Sequence, residues 1–137
     1  MPPSVPESQD TQVAGQSLAV SAEVLYLTNL LLLPGLAFIV LLTIYVRHIK
    51  QAPPLAACHL RQTVSASLWA AMILIIVNIL IIALGGYTSS WTWVIVILYF
   101  TLCHAALVLL GTMGLAKAMA GKLYRFPIVG RPCETRM

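Results

Sequence analysis

Histidine and cysteine are the residues of this chain best suited to chemistry, and they stand together twice. Cys58-His59 and Cys103-His104 each place a thiol beside an imidazole, and four such side chains are a possible ligand set for zinc, copper or haem iron. However, adjacent residues on a helix point about 100° apart and seldom ligate one ion together. We therefore expect no metal and no cofactor, and keep metal or haem handling by His104 and the cysteines as an alternative.

The groups that hydrolytic or transfer enzymes need are missing from the sequence. No acidic residue lies between Glu23 and Glu134, and there is no glycine-rich phosphate loop, carboxylate pair or nucleophile elbow. The chain is thus not expected to be an enzyme. Its three cysteines are too few and too scattered for a disulfide framework, so all are expected to be reduced thiols: Cys58, Cys103 and Cys133.

Long uncharged runs must position these residues. The chain has 137 residues, of which 60 % are apolar and 9 % charged, and neither 24–46 nor 62–116 contains Asp, Glu, Lys or Arg. A bilayer core of about 30 Å needs roughly 20 apolar residues in a helix. The polar break at 85–90 divides the second run, which predicts an all-α, integral membrane three-helix bundle (domain 23–128) with spans at 25–46, 63–84 and 91–116. Pro34-Gly35 predicts a kink in the first span.

Basic residues predict the orientation of these spans. They lie between spans one and two and after span three, at Arg47, Lys50, Arg61, Lys117, Lys122, Arg125, Arg131 and Arg136. By the positive-inside rule the N-terminus is outside and the C-terminus inside. Residues 1–22 are predicted to be a disordered extracytoplasmic tail, and 129–137 a cytoplasmic tail. Because the charges adjoin membrane exits, we expect anionic lipid headgroups as partners and no nucleic acid.

Polar and small residues inside the spans predict how the helices pack. Asn78 and His104 lie deep in spans two and three, where they can hydrogen bond to each other or line a path. On one sector of span three lie His104, Leu107, Gly111, Gly114 and Ala118. Small residues let helix backbones approach closely, so we expect this sector to face protein: its own helices, a second copy or another membrane protein.

Two short motifs flank the last two spans. His59-Leu60-Arg61-Gln62 enters span two, and Gly121-Lys122-Leu123-Tyr124-Arg125-Phe126-Pro127 follows span three. Together they make residues 26–128 resemble the Tic-twenty-like family of small bacterial membrane proteins, whose members carry His-x-Arg-Gln and Gly-x-x-Tyr-Arg-Tyr-Pro at these places. The chain departs from the family at Phe126, where a second tyrosine is usual, and at Thr63-Val64.

The resemblance implies a multi-pass protein of the bacterial cytoplasmic membrane that acts as an accessory or scaffold subunit. The plastid namesake is a four-span component of a protein-import machinery, so a transporter or translocation-channel component is the alternative, with a path lined by Asn78, Thr101 and His104. The motif residues predict a hydrogen-bonded clasp across the cytoplasmic face, open to lipid or a partner: His59, Arg61, Gln62, Tyr124 and Arg125.

Overall fold

A computed structural model describes residues 12–133 and shows an all-helical chain, with no strand in this range. Its five α-helices are α1 (Gln16–Leu31), α2 (Leu36–His48), α3 (Pro54–Ala71), α4 (Val77–Gly85) and α5 (Ser90–Met119). A π-helical turn, Met72–Ile76, joins α3 to α4, so that Pro54–Gly85 is one continuous helical segment of 32 residues. This segment and the 30 residues of α5 are long and apolar enough to cross a membrane.

The second and third predicted spans lie in the two long helical segments, one in each. The prediction of the first span is wrong. Residues 25–46 do not form one kinked helix, because the chain reverses direction between α1 and α2. Pro34 has no N–H to donate, and Gly35 adopts φ +85°, a conformation that suits glycine. The Asn29 side chain accepts a hydrogen bond from the Gly35 N–H at 2.8 Å and stabilises this turn. The bundle therefore has four helical segments rather than three.

The α1–α2 hairpin packs along the first half of α3. Ala22 of α1 and Leu41 of α2 are fully buried and share one apolar cluster with Leu60 and Val64 of α3. The hairpin is short: at 1.5 Å per residue, α1 spans about 24 Å and the α3–α4 segment about 48 Å. The hairpin tip, residues 32–35, thus lies about halfway along the two long helices.

The two ends of the bundle differ in character. The Gln16 side chain donates a hydrogen bond to the Met119 carbonyl at 2.6 Å, so α1 begins where α5 ends. Residues 49–53 connect α2 to α3 at this same end, and we call it the basic end because five cations lie there: Arg47, Lys50, Lys117, Lys122 and Arg125. The opposite, aromatic end carries Tyr87, Trp91 and Trp93.

This arrangement corrects two predictions about the termini. Residues 16–22, predicted to be part of a disordered tail, belong to α1. The beginning of α1 lies at the same end as the end of α5, whereas the prediction placed the N-terminal and C-terminal ends of the domain on opposite sides. The remainder of the predicted tails, 1–11 and 134–137, lies outside the described residues.

The segment after α5 is part of the core. Residues 120–133, here called the C-terminal segment, fold back against α1, α3 and α5 instead of leaving the bundle as a tail from residue 129. Phe126 is fully buried and Val129 is 7 % exposed, and both pack in the apolar cluster of Tyr26, Ala66 and Leu107. The C-terminal segment thereby fills space between the helices near the basic end.

Candidate functional site

A buried carboxyl–imidazole pair lies at the centre of the basic half of the bundle. Glu23 of α1 and His59 of α3 are both fully buried, and Oε1 of Glu23 is 2.6 Å from Nδ1 of His59. The other ring nitrogen, Nε2, donates to the Lys122 carbonyl at 3.1 Å. With Nε2 protonated, a single further proton lies between Glu23 and Nδ1. The pair is neutral overall whichever partner holds that proton, which lowers the cost of burying it.

The second oxygen of Glu23 is close to the small residues of α5. Oε2 has no hydrogen-bond partner within residues 12–133, and a Cβ added to Gly114 would lie 2.5 Å from it. A Cβ on Gly111 would lie 2.6 Å from Leu27 and Tyr26 of α1. The small-residue sector of α5 therefore faces α1: Leu107, Gly111, Gly114 and Ala118 are all buried.

Gln62 holds the C-terminal segment by its backbone. Its Oε1 accepts hydrogen bonds from the Phe126 N–H at 3.4 Å and the Arg131 N–H at 3.1 Å. Its Nε2 donates to the Arg131 carbonyl. One turn further along α3, the Ser65 hydroxyl donates to the Val129 carbonyl at 3.1 Å. The Gln62 side chain thus bonds both the backbone N–H and the backbone carbonyl of Arg131. These groups have no helical partners, because Arg131 lies outside any helix.

We call the contact of α3 (His59, Gln62 and Ser65) with the C-terminal segment the joint. A disulfide also links α3 to this segment. Cys58 and Cys133 are bonded, with their Cα atoms 5.1 Å apart and a sequence separation of 75. This corrects the prediction that all three cysteines are reduced thiols, since only Cys103 is free among the described residues. The sequence could not indicate the pairing, because it depends on the C-terminal segment folding back onto α3.

The other motif residues lie around this joint with different contacts. Tyr124 packs edge-on against Phe126 with ring centroids 5.4 Å apart, while Arg125 is exposed. Arg61 lines a cavity of about 100 Å³ together with Tyr45 and Arg131. The joint is therefore formed by side chains of α3 on the backbone of the C-terminal segment, and the Tyr124 and Arg125 side chains are not its hydrogen-bonding groups.

Asn78 and His104 are not partners of each other. The Asn78 amide donates to the Leu74 carbonyl of its own helical segment at 2.6 Å. The His104 ring stacks on Phe100 with centroids 5.4 Å apart, and its Nδ1 has no hydrogen-bond partner in the described part of the chain. Thr101 is exposed on the bundle surface. These three residues do not line one continuous path.

Sequence reasoning missed Glu23, the partner of His59. Between residues 12 and 133, no three side chains of His, Cys, Asp or Glu cluster as a metal site. Comparison of the chain with family models, curated proteins and solved structures finds no match.

Proposed function

We propose that this chain is an integral membrane protein of the bacterial cytoplasmic membrane that serves as an accessory or scaffold subunit, and that it is not an enzyme. Large apolar side chains are exposed along both long helices, which suits a lipid environment and not water. The cations gather at one end and two of the three tryptophans, Trp91 and Trp93, at the other, as at the two faces of a bilayer. The two motifs of the Tic-twenty-like resemblance flank the joint of Gln62 and the C-terminal segment and favour the same class.

The observation that carries the proposal is the hairpin tip. In a bilayer the tip would lie near the midplane, where backbone groups without intrahelical partners cannot face lipid. The Leu32 carbonyl accepts no hydrogen bond within residues 12–133, and Leu32, Leu33 and Leu36 are 74 %, 51 % and 62 % exposed. Another protein surface, from a second copy of this chain or a different membrane protein, is needed to cover these residues. The need for such a cover is the reason why we propose that this chain is a subunit of a larger assembly.

Crosslinking in cells tests this proposal. A photoreactive amino acid at Leu32 is expected to capture a membrane protein, identified by mass spectrometry, while the same residue at Ile97, exposed on α5, serves as the matched control and captures mainly lipid. Capture of lipid alone at both positions would contradict the subunit proposal. Retention of the chain in membranes washed with alkaline carbonate is expected, and its release would contradict the membrane location.

A transporter or translocation-channel component is the second candidate. The observation that favours it is the Glu23–His59 pair, because a buried pair that shares one proton is a possible proton-binding element of a transport cycle. Single cysteines at positions 23 and 59, in a background without other cysteines, distinguish the candidates through labelling with a membrane-impermeant thiol reagent. A transport path past the pair predicts labelling at both positions, whereas a scaffold predicts labelling at neither, because both residues are fully buried.

A further inference from the structure

A cavity of about 300 Å³ lies beside the hairpin tip, between α1, α2, α3 and α5. Its walls are mainly apolar and include Pro34, Phe38 and Phe100. Three polar residues also line it: Asn29, whose side chain accepts the hydrogen bond from the Gly35 N–H, Ser67 and His104. The volume is at the lower end of the range for small-molecule sites, about 300–1,000 Å³. A cavity of this kind has room for one ring system but not for a large ligand.

Two of these three polar side chains, Ser67 and His104, each have an unpartnered polar atom. Neither Ser67 Oγ nor His104 Nδ1 has a hydrogen-bond partner in the described part of the chain, although Ser67 is only 3 % exposed. Other hydroxyl groups in the bundle donate a hydrogen bond to a carbonyl of the preceding helical turn. Thr63 donates to the His59 carbonyl in this way, and Ser21 to the Ser17 carbonyl. A buried polar atom without a partner is costly. Ser67 and His104 thus offer hydrogen bonds to a ligand.

The shape of the wall favours a flat ligand. The rings of Phe100 and His104 are nearly parallel, with an angle of 10° between their planes, and they form one side of the cavity. The rim is apolar and reaches the bundle surface, because Leu68 and Ile75 line the cavity and are 55 % and 58 % exposed. On the proposed membrane location, this rim opens towards lipid.

We propose that the cavity binds the ring of a membrane-soluble quinone. The ring lies against Phe100 and His104, and one carbonyl oxygen accepts hydrogen bonds from the Ser67 hydroxyl and from His104 in its Nδ1–H tautomer. The isoprenoid tail leaves past Leu68 and Ile75 into lipid. A plain acyl chain fits the apolar walls but leaves both polar atoms unpartnered, and a water molecule leaves most of the volume empty. This inference rests on the proposed membrane location.

Photolabelling of the full chain in lipid nanodiscs tests the inference. An azido-quinone with a decyl tail is expected to label the cavity residues, and unlabelled decylubiquinone to compete saturably, while decylbenzene, which has no carbonyl, does not compete. Ser67→Ala is expected to weaken competition about five-fold, the effect of losing one hydrogen bond. Ala71→Phe, which fills the cavity, is expected to abolish it, and Ser21→Ala is the matched control with unchanged binding.

Three outcomes would overturn the inference: equal competition by decylbenzene, labelling spread over the outward faces of α4 and α5, or unchanged binding in both cavity variants. Far-ultraviolet circular dichroism and a single elution peak establish that Ala71→Phe is folded, and Ser67→Ala removes only one oxygen. If quinone binding fails while the chain resists carbonate extraction, the membrane proposal stands and the quinone site is rejected. If carbonate releases the chain, the membrane proposal fails first.

Discussion

Glu23 and His59 show how a chain with so few acids can keep one in its interior. The carboxyl group lies on α1 and the imidazole on α3, 36 residues apart in sequence, and each is the other's main polar partner. Placing charges in a low-dielectric interior is costly, and the cost falls only when the geometry is good and further hydrogen bonds are made. The bond from His59 Nε2 to the Lys122 carbonyl supplies one of these.

Removing both members of the pair should destabilise the fold by less than the two single removals summed. Glu23→Leu leaves His59 without its acceptor, and His59→Leu leaves a buried carboxyl unpaired, a change that typically costs about 3–5 kcal/mol. The double Leu variant removes both polar groups and is expected to lose less free energy of unfolding than the two single changes summed. Denaturant titration of all four proteins in detergent measures this coupling. Simple additivity would show that the two residues do not act as a pair.

Gln62 has a comparable role at the other side of the joint, but it acts on backbone groups. Its side-chain amide forms hydrogen bonds with the Phe126 N–H and with the backbone N–H and carbonyl of Arg131. These residues are in no helix, so their N–H and carbonyl groups have no helical partners. An unpaired backbone group in a buried position is unfavourable, which explains why an amide, both donor and acceptor, is suited to this place.

Gln62→Leu is expected to release the C-terminal segment. Three hydrogen bonds are lost at about 1 kcal/mol each, which raises the population of the opened segment. Trypsin cleavage after Arg125, followed by mass spectrometry, should become markedly faster than in the wild type, and faster still when the Cys58–Cys133 disulfide is reduced. Ser65→Ala is the matched control, because it removes a single bond to the segment and should have a smaller effect. Equal cleavage rates in all three proteins would contradict this role of Gln62.

The close contact between α1 and α5 depends on two glycines of α5, which have no side chain to keep the helices apart. Gly111 and Gly114 lie where Tyr26 and Glu23 reach α5, and the Tyr26 hydroxyl donates to the Leu107 carbonyl at 3.2 Å. The small-residue sector of α5 thus packs within the chain. It is covered by α1 and does not need a second copy to bury it.

Gly114→Ala tests this close approach. The added methyl would lie 2.5 Å from Glu23 Oε2 and 2.7 Å from the Phe126 ring, so the helices must separate or the side chains must shift. Overpacking of this kind typically costs about 1–3 kcal/mol. Ala105→Val adds more bulk on an exposed part of the same helix and is expected to leave the melting temperature in detergent unchanged. Equal melting temperatures for both variants would show that α1 and α5 are not tightly packed.

The sequence is sufficient for the long helices and insufficient for the hairpin. Uncharged runs of this length predict helices whatever their partners, and both predicted spans after residue 62 lie inside helices. Pro34-Gly35 is compatible with a kink or with a reversal, and the packing of Ala22 and Leu41 on α3 decides between them. Such contacts are between residues distant in sequence. No local pattern reports them.

The joint was predictable in part for a similar reason. His59 and Gln62 lie in the polar stretch where the second uncharged run begins, so sequence inspection singles them out, and both lie at the joint. Glu23 stands alone at the edge of an apolar run and resembles an interfacial residue. The C-terminal segment has only two buried apolar residues, Phe126 and Val129, too few for a pattern to distinguish it from a tail.

For the whole molecule, the hairpin changes the orientation that charge predicts. The cations of the basic end favour a cytoplasmic location for that end, and the structure places the beginning of α1 there as well. The chain would then enter the membrane from the cytoplasm, turn back at residues 32–35, and cross fully only with α3–α4 and α5. The original prediction of an N-terminus outside follows from counting three spans, one of which the hairpin replaces.

Thiol labelling distinguishes the two arrangements. In a background in which Cys58, Cys103 and Cys133 are all replaced by serine, single cysteines are placed at exposed positions Ala14, Lys50, Lys122 and Thr88. A membrane-impermeant maleimide added to intact spheroplasts is expected to label only Thr88→Cys, and added to inverted vesicles to label the other three. Labelling of Ala14→Cys from the same side as Thr88→Cys would restore a first full span and contradict the hairpin. Because Lys50 and Lys122 report the side of the basic end independently, an inverted orientation of the whole bundle would be recognised as such and would leave the hairpin intact.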